Sequence, residues 1–168
     1  MEWKDLAQFM YGRGFWYTDP LNEIRSLSEE QLLWTPTDGT LPILWHVGHI
    51  AHREALHIGC FIAGLSQDDL VPPECGVFTD WESVDHICEE IDSVTNVLQW
   101  VKAMRERCHG IIDGLTDADL DRSAFGEDVD SHLTVAHWLA ITPVHTGVHI
   151  GRIQGLRAQL EGTRERAC

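Results

Sequence analysis

Apolar residues recur along most of this chain at intervals of three and four positions, the spacing of one face of an α-helix. Four long segments carry the pattern, at residues 3–27, 42–64, 82–114 and 133–160. Between the first two, Ser-Glu-Glu-Gln at 28–31 has the form of a capping box and predicts a short helical turn. Strand signals are nearly absent, since no stretch shows sustained alternation of apolar and polar residues. The pattern predicts an all-α protein, a four-helix bundle whose binding sites are built from inward-facing side chains.

Glycine and proline positions indicate where these helices begin and end. Gly12, Gly14 and Pro20 weaken the first segment and predict a break or kink close to the proline. Pro42 suits the first turn of the second helix, and Gly64 suits its C-terminal end. No internal repeat or linker divides the chain, so we expect one domain over residues 1–168.

The charge of the chain restricts the partners it can have. Its formal net charge is −15 and its sequence pI is near 4.8. Such a balance repels phosphate backbones and anionic lipid surfaces, so we expect neither nucleic acid nor a membrane as a partner. No run of residues approaches the roughly 20 apolar positions that a membrane-spanning helix needs.

The cysteines and the N-terminal residues indicate the cellular compartment in which we expect the protein. Five cysteines are an odd number, and no C-x-x-C motif is present, so a disulfide framework is not expected. The N-terminal Met-Glu-Trp-Lys-Asp is not a basic region followed by an apolar stretch, so we expect no signal peptide. Both observations favour a cytoplasmic protein with reduced thiols.

Two histidine clusters carry the strongest chemical signal. His145 and His149 are four residues apart, and His46, His49 and His52 lie about a hundred residues upstream. Residues four apart share a helix face, about 40° apart around the axis. Two imidazoles from one helix and a third from another can form three corners of a metal site, with the fourth corner open to water or substrate. The alternative is that these are hydrogen-bonded core histidines.

The other polar candidates receive more ordinary interpretations. His46 and His52 lie about 120° apart on a helix, so both cannot serve one ion with His49, and we interpret them as residues behind the ligands or at the surface. Glu54 is either an acceptor or base near the metal or, as we favour, an ion-pair partner of Arg53 or Arg157. We interpret the remaining histidines as structural: His57, His86, His109, His132 and His137.

Three segments of the chain resemble the DinB-like superfamily of four-helix-bundle proteins. Leu-Ser-Glu-Glu-Gln-Leu-Leu-Trp-Thr-Pro at 27–36 resembles the family's connection between helices one and two. Pro-Ile-Leu-Trp-His-Val-Gly-His-Ile-Ala-His-Arg-Glu at 42–54 resembles its second helix, and His-Thr-Gly-Val-His-Ile-Gly-Arg-Ile at 145–153 resembles its H-x-x-x-H segment. The chain departs from the family where Ile150 and Arg152 replace an arginine and a glutamine.

The resemblance implies a site and a range of activities. It implies that His49, His145 and His149 bind a divalent transition metal, zinc or nickel in the first place and iron or manganese as alternatives, with water completing the sphere. Known activities in the family include S-transfer with low-molecular-weight thiols such as bacillithiol or mycothiol, and a thiol-dependent isomerisation. We therefore expect a metal-dependent thiol S-transferase or hydrolase that acts on a small molecule, and a homodimer.

The alternative is a non-catalytic, stress-associated bundle in which the metal is structural. A structural site predicts a fourth protein ligand, for which His46 and Glu54 are the candidates, whereas an enzyme predicts an open coordination position. The sequence names no catalytic residue beyond the ligands.

Overall fold

The computed structural model describes residues 2–14, 19–36, 40–79, 91, 93–126 and 132–167, with side chains described to residue 162. The helices are α1 (Trp3–Met10), α2 (Pro20–Ile24), α3 (Glu29–Leu33), α4 (Ile43–Glu54), α5 (Val94–Gly114) and α6 (Val135–Ala167). Helix α4 continues as a π-helical segment, Ala55–Ile62, and short 3₁₀ segments occur at Gln67–Asp69, Pro73–Phe78 and Asp117–Asp119. The described residues contain no β-strand, so the all-α prediction is confirmed.

The first predicted helix is shorter than its apolar pattern suggested. Helix α1 ends at Met10, because Gly12 and Gly14 adopt positive φ angles of 90° and 78° that a right-handed helix does not accommodate. The chain becomes helical again at Pro20, where the side chain of Asp19 caps the backbone N–H of Leu21. The prediction of one segment from 3 to 27 is therefore wrong in extent, while the break near Pro20 is confirmed.

Helix α4 follows its predicted bounds closely. It starts directly after Pro42, and its π-helical continuation stops just before Gly64, which has a φ of +71°. Every residue from Ile43 to His52 is buried. Helix α4 therefore lies at the centre of the fold, where all of its faces are covered by other elements.

The two long helices after it surround this central helix. Helix α5 begins at Val94, where the Ser93 side chain caps the backbone N–H of Asn96. Residues 80–90 and 92, which include the first part of the predicted 82–114 segment and His86, lie outside the described residues. Helix α6 extends the predicted 133–160 segment and runs on through Pro143.

The packing brings four helices together. Helix α4 packs on both α5 and α6, and α1 packs against α5 and α6. The short helices α2 and α3 lie on α6 and α4 respectively, and the Ser28–Gln31 capping box predicted for α3 is present. This arrangement is consistent with a four-helix bundle, and it places residues of α4 and α6 side by side in the interior. Within the described part of the chain, none of the helices combines the length and apolarity needed to cross a bilayer.

Candidate metal centre

Three histidines from two helices meet in the interior between α4 and α6. His49 of α4 and His145 and His149 of α6 each offer one ring nitrogen, and these nitrogens all lie within 4.8 Å of one another. The ring centroids are 4.6 to 5.1 Å apart. His49 and His149 are fully buried, whereas His145 is partly exposed. The structure therefore brings together the three residues that the family resemblance implied as ligands, and their binding of a metal stays a prediction.

The spacing of the nitrogens fits a metal ion. Nε2 of His49 and Nε2 of His145 are 3.3 Å apart. Metal–nitrogen bonds of about 2.0–2.1 Å in tetrahedral geometry place two ligand nitrogens about 3.3–3.4 Å apart. The donor set also fits, because neutral imidazoles are good ligands for zinc, nickel, iron and copper.

His49 is held in the orientation that a ligand requires. Its Nδ1–H donates to the backbone carbonyl oxygen of Phe78 at 2.7 Å, which leaves Nε2 without a proton and with its lone pair facing His145. The indole of Trp45 stacks on the His49 ring, with centroids 4.5 Å apart and planes inclined by 15°. The indole N–H also donates to the carbonyl of Val77 at 3.4 Å.

A glycine allows the 3₁₀ turn that carries Phe78 to approach α4 this closely. A Cβ at Gly48 would lie 2.5 Å from the Phe78 ring, far inside van der Waals contact. Gly48 therefore provides the space for the aromatic ring, and the neighbouring carbonyl then reaches His49. Phe78 carries no sequence signal for this role, since its contribution is a backbone carbonyl 29 residues away from His49.

His149 is oriented by another histidine. Nδ1 of His149 lies 3.0 Å from Nδ1 of His46, so one ring donates a hydrogen bond to the other. When His149 is the donor, its Nε2 carries the lone pair that a metal needs. His46 is 4% exposed, so the structure places it behind His149 and not at the surface. By contrast, Nδ1 of His145 is buried without a hydrogen-bond partner among the described residues.

His57, interpreted from sequence as structural, lies beside this centre. It sits in the π-helical segment with its ring 6.3 Å from that of His145 and 4.7 Å from that of Trp138. Its Nδ1–H donates to the hydroxyl of Thr142 at 3.0 Å, which in turn donates to the Trp138 carbonyl at 2.8 Å. π-Helical turns are frequent at functional sites, a signal that α-helical periodicity does not reveal.

Glu54 has a different partner from the one we expected. It pairs with Arg105 of α5 at 2.5 Å, so the preferred interpretation of an ion pair with Arg53 or Arg157 is wrong. The reason is geometric, since five residues beyond His49 correspond to about 140° around the helix, away from α6. Burial raises the pKa of Glu54, and the Arg105 guanidinium opposes that rise.

The structure also places His52 and the two candidates for a fourth ligand, His46 and Glu54. His52 is buried, where its Nε2 lies 3.1 Å from the hydroxyl of Thr79, so its surface interpretation is wrong. Among the described residues, neither His46 nor Glu54 joins the three-histidine group. The described site therefore has the three-ligand composition of a centre with an open position.

Burial keeps these imidazoles in the neutral form that binds metals. Burial, followed by the neighbouring histidines, lowers the pKa of His149 to about 2. Burial likewise lowers the pKa of His49 to about 3, although the hydrogen bond to Phe78 opposes it. The pKa of His145 is also lowered, first by burial and then by the charges of Arg53 and Arg152. Near pH 7 all three rings can therefore act as ligands without first losing a proton.

Comparison with known proteins shows which family model this chain matches. A family model described as the DinB superfamily matches residues 19–153, well over half of the chain. No protein of curated function matches the chain significantly. The matched range contains the three clustered histidines together with His46, Phe78 and the π-helical segment.

Proposed function

Since the chain belongs to the DinB superfamily, we propose that it is a metal-dependent enzyme in which His49, His145 and His149 bind a divalent transition metal. The observation that carries the proposal is the convergence of three neutral imidazoles, with two facing Nε2 atoms 3.3 Å apart. Zinc or nickel is the metal we expect first, with iron or manganese as alternatives.

We propose that the reaction is S-transfer with a low-molecular-weight thiol, with hydrolysis as the second possibility. When bound, such a metal lowers the pKa of a coordinated thiol or water and supplies a nucleophile at neutral pH. In S-transfer the sulfur forms a bond to an electrophilic carbon, the leaving group departs with its electron pair, and the thiol proton is released. The resemblance to thiol transferases supports the thiol, and the three-ligand composition supports an open position for it.

The surrounding residues prepare the ligands for this role. Phe78 and Trp45 hold the His49 ring, and His46 holds His149. Ligands that are already oriented need not rearrange when the ion binds. Residues that hold metal ligands in this way typically strengthen metal binding by about 10–100-fold. The buried side of the site excludes water, whereas the partial exposure of His145 supports an approach from its side.

The alternative function is a non-catalytic, metal-stabilised bundle. It requires a closed coordination sphere, and the lack of a fourth ligand in the described residues favours the enzyme. Measurements of metal content and of catalytic activity distinguish the enzyme from the metal-stabilised bundle.

Elemental analysis of protein purified without an affinity tag tests the site first. We expect about one equivalent of transition metal per chain, lost in both His49→Ala and His145→Ala. His137→Ala, which removes an exposed histidine from the same helix α6, is the matched control and should keep the metal. No metal in the parent protein, even after incubation with zinc or nickel, would contradict the proposal.

A thiol-transfer assay then tests the reaction. The metal-loaded protein should accelerate the attack of a small thiol on an aryl halide, measured as thiol consumption, and His145→Ala should not. Full metal occupancy without acceleration of either thiol transfer or ester hydrolysis would favour the structural alternative.

We also propose that the protein is a homodimer that pairs through the outer face of α6. Val144, Val148 and Ile141 on this face are 66%, 52% and 38% exposed. Residues 135–160 contain no Asp or Glu, although the chain has 27 acidic residues. Two copies that each carry a net charge of −15 repel least where acidic side chains are missing, which supports a second copy as the occupant.

The described cysteines support a cytoplasmic location, which we propose on this basis. Cys60, Cys75 and Cys108 are free thiols. Free thiols persist in the reducing cytoplasm, whereas disulfides form in oxidising compartments.

A further inference from the structure

A polar cleft lies between α2 and α6, away from the histidines. Its volume is about 470 Å³, and its lining residues are Asn22, Glu23, Arg25, Ser26 and Arg157. Small-molecule sites typically have volumes of about 300–1,000 Å³. The cleft therefore has the size of a ligand site, and its lining is rich in hydrogen-bond donors.

One cation in this lining has no acidic partner among the described residues. Glu23 is buried, and its carboxylate accepts from Gln154 Nε2 at 3.1 Å and from Arg157 Nη1 at 3.3 Å. Nη1 of Arg157 also donates to the Glu23 carbonyl at 2.6 Å. This pair neutralises itself and joins α2 to α6. Arg25 is exposed and forms no ion pair with the residues that the structure describes.

The position of Arg25 suits the capture of an anionic group. A guanidinium presents a planar fork of N–H donors that matches a carboxylate or a phosphate. Asn22 and Ser26 are three residues before and one residue after Arg25, and both line the same cleft. Their amide and hydroxyl groups can donate further hydrogen bonds to the same anion.

We propose that this cleft binds a small molecule through a carboxylate or phosphate group, with Arg25 as the principal contact. In a chain with a net charge of −15, an anion gains most where a cation has no acidic partner. Asn22 and Ser26 orient the anion, and the Glu23–Arg157 pair keeps the two walls of the cleft in place.

The cleft is a separate site on the same helix as two of the clustered histidines. Arg157 is eight residues beyond His149 on α6, which corresponds to about 12 Å along the helix axis. Anion binding at the cleft does not rest on the proposed function.

Titration of the chelator-treated protein with inorganic phosphate and, separately, with succinate tests the proposal. Binding is followed by isothermal calorimetry at constant ionic strength, and the tighter of the two anions identifies the chemical group. Arg25→Gln should bind roughly tenfold or more weakly, as expected for the loss of a charge-assisted hydrogen bond. Lys102→Gln removes the same charge from the exposed face of α5 and should bind as the parent does.

A substitution that removes a negative charge near the cleft provides a second test. Glu161 lies 3.8 Å from Arg157 and is exposed, so Glu161→Gln should tighten anion binding. The absence of binding by both anions to the parent protein, or an equal loss in Arg25→Gln and Lys102→Gln, would overturn the proposal. His49→Ala should lose metal and keep anion binding, so the failure of one site is distinguishable from the failure of the other.

Discussion

The carbonyl oxygen of Phe78 lies 2.7 Å from Nδ1 of His49, so a turn outside the long helices fixes a ring at the centre of the bundle. A histidine that donates from one nitrogen presents a lone pair on the other. The tautomer of His49, and with it the ability of the ring to bind a metal, therefore depends on a segment that carries no ligand itself.

Gly48→Ala should displace Phe78 and thereby weaken metal binding. The new Cβ would lie 2.5 Å from the Phe78 ring, so the turn must move away from His49. We expect a loss of about 10–100-fold in metal affinity and of about 1–3 kcal/mol in the free energy of unfolding. Chelator competition and chemical denaturation measure the two effects. The matched control is Gly110→Ala in α5, where a Cβ meets nothing within 4 Å and stability should rise by up to about 1 kcal/mol. Equal stabilisation by both substitutions would contradict the role of Gly48.

His46→Ala should weaken metal binding without abolishing it. The substitution removes the partner 3.0 Å from Nδ1 of His149 while the three candidate ligands remain. Affinity for zinc should fall by about 10–100-fold, whereas His149→Ala should remove binding altogether. Competition with a fluorescent zinc chelator measures both. If His46→Ala and His149→Ala lose metal equally, His46 is a ligand and not an orienting residue.

The metal-free protein should lose stability below about pH 6.5. Burial is the main cause that lowers the pKa of His57 to about 3 and that of His109 to about 4. Below the ordinary histidine pKa, the unfolded chain therefore binds more protons than the folded chain, and the free energy of unfolding falls as the pH drops. The slope is at most about 1.4 kcal/mol per pH unit for each such histidine, and less for the partly exposed His109.

Thermal unfolding of chelator-treated protein between pH 8 and pH 5 measures this dependence. The midpoint should be constant above about pH 7 and fall below it. His109→Asn should give a shallower slope, and His137→Ala, at an exposed position, should not change it. Equal stability at pH 5 and pH 7 would show that these histidines are not buried in the neutral form.

Glu54 and Arg105 should prove important for folding and not for metal binding. The pair is almost completely buried, with side chains 1% and 7% exposed. Glu54→Leu removes the closer of the two carboxylates beside the buried Arg105 guanidinium and leaves Asp19 at 3.6 Å, so it should cost up to about 3–5 kcal/mol. The double variant Glu54→Leu with Arg105→Met should recover much of that loss, while metal content stays unchanged. Loss of metal in the well-folded double variant would instead indicate that Glu54 contributes to the site.

Val148→Asp should convert the proposed dimer into a monomer. It places a carboxylate on the acid-free outer face of α6, where two copies would bring like charges together. Light scattering should give twice the chain mass of 19.0 kDa for the parent and a single chain mass for the variant. Ala103→Asp on the exposed face of α5 is the matched control and should remain dimeric. A monomeric parent protein would refute the interface.

The regular period of the α-helix allowed the helices, and the shared face of two of the histidines, to be predicted from the sequence. His145 and His149 needed only their spacing to be assigned to one face. The choice of His49 over His46 and His52 needed the family resemblance, because all three lie on one helix and are buried.

The remaining features depend on contacts that local patterns do not encode. The carbonyl of Phe78 is available in any residue type, so no side chain signals its role. The partner of Glu54 depended on which helix packs against that side of α4, and Arg105 is 51 residues away. The first helix was predicted too long because its apolar spacing continues past Gly12 and Gly14, whose backbone conformation ends the helix.

The π-helical segment Ala55–Ile62 has a consequence for comparing this chain with its relatives. Each of its hydrogen bonds closes one residue later than in an α-helix, so the segment holds extra chain within the same rise. In evolutionary terms it has the form of an insertion absorbed without a loop. The sequence of a relative with a plain α-helix here should align with this chain only if a gap is placed within Ala55–Ile62. A gap placed elsewhere would pair His57 with a residue of the relative that does not occupy the same position in the structure.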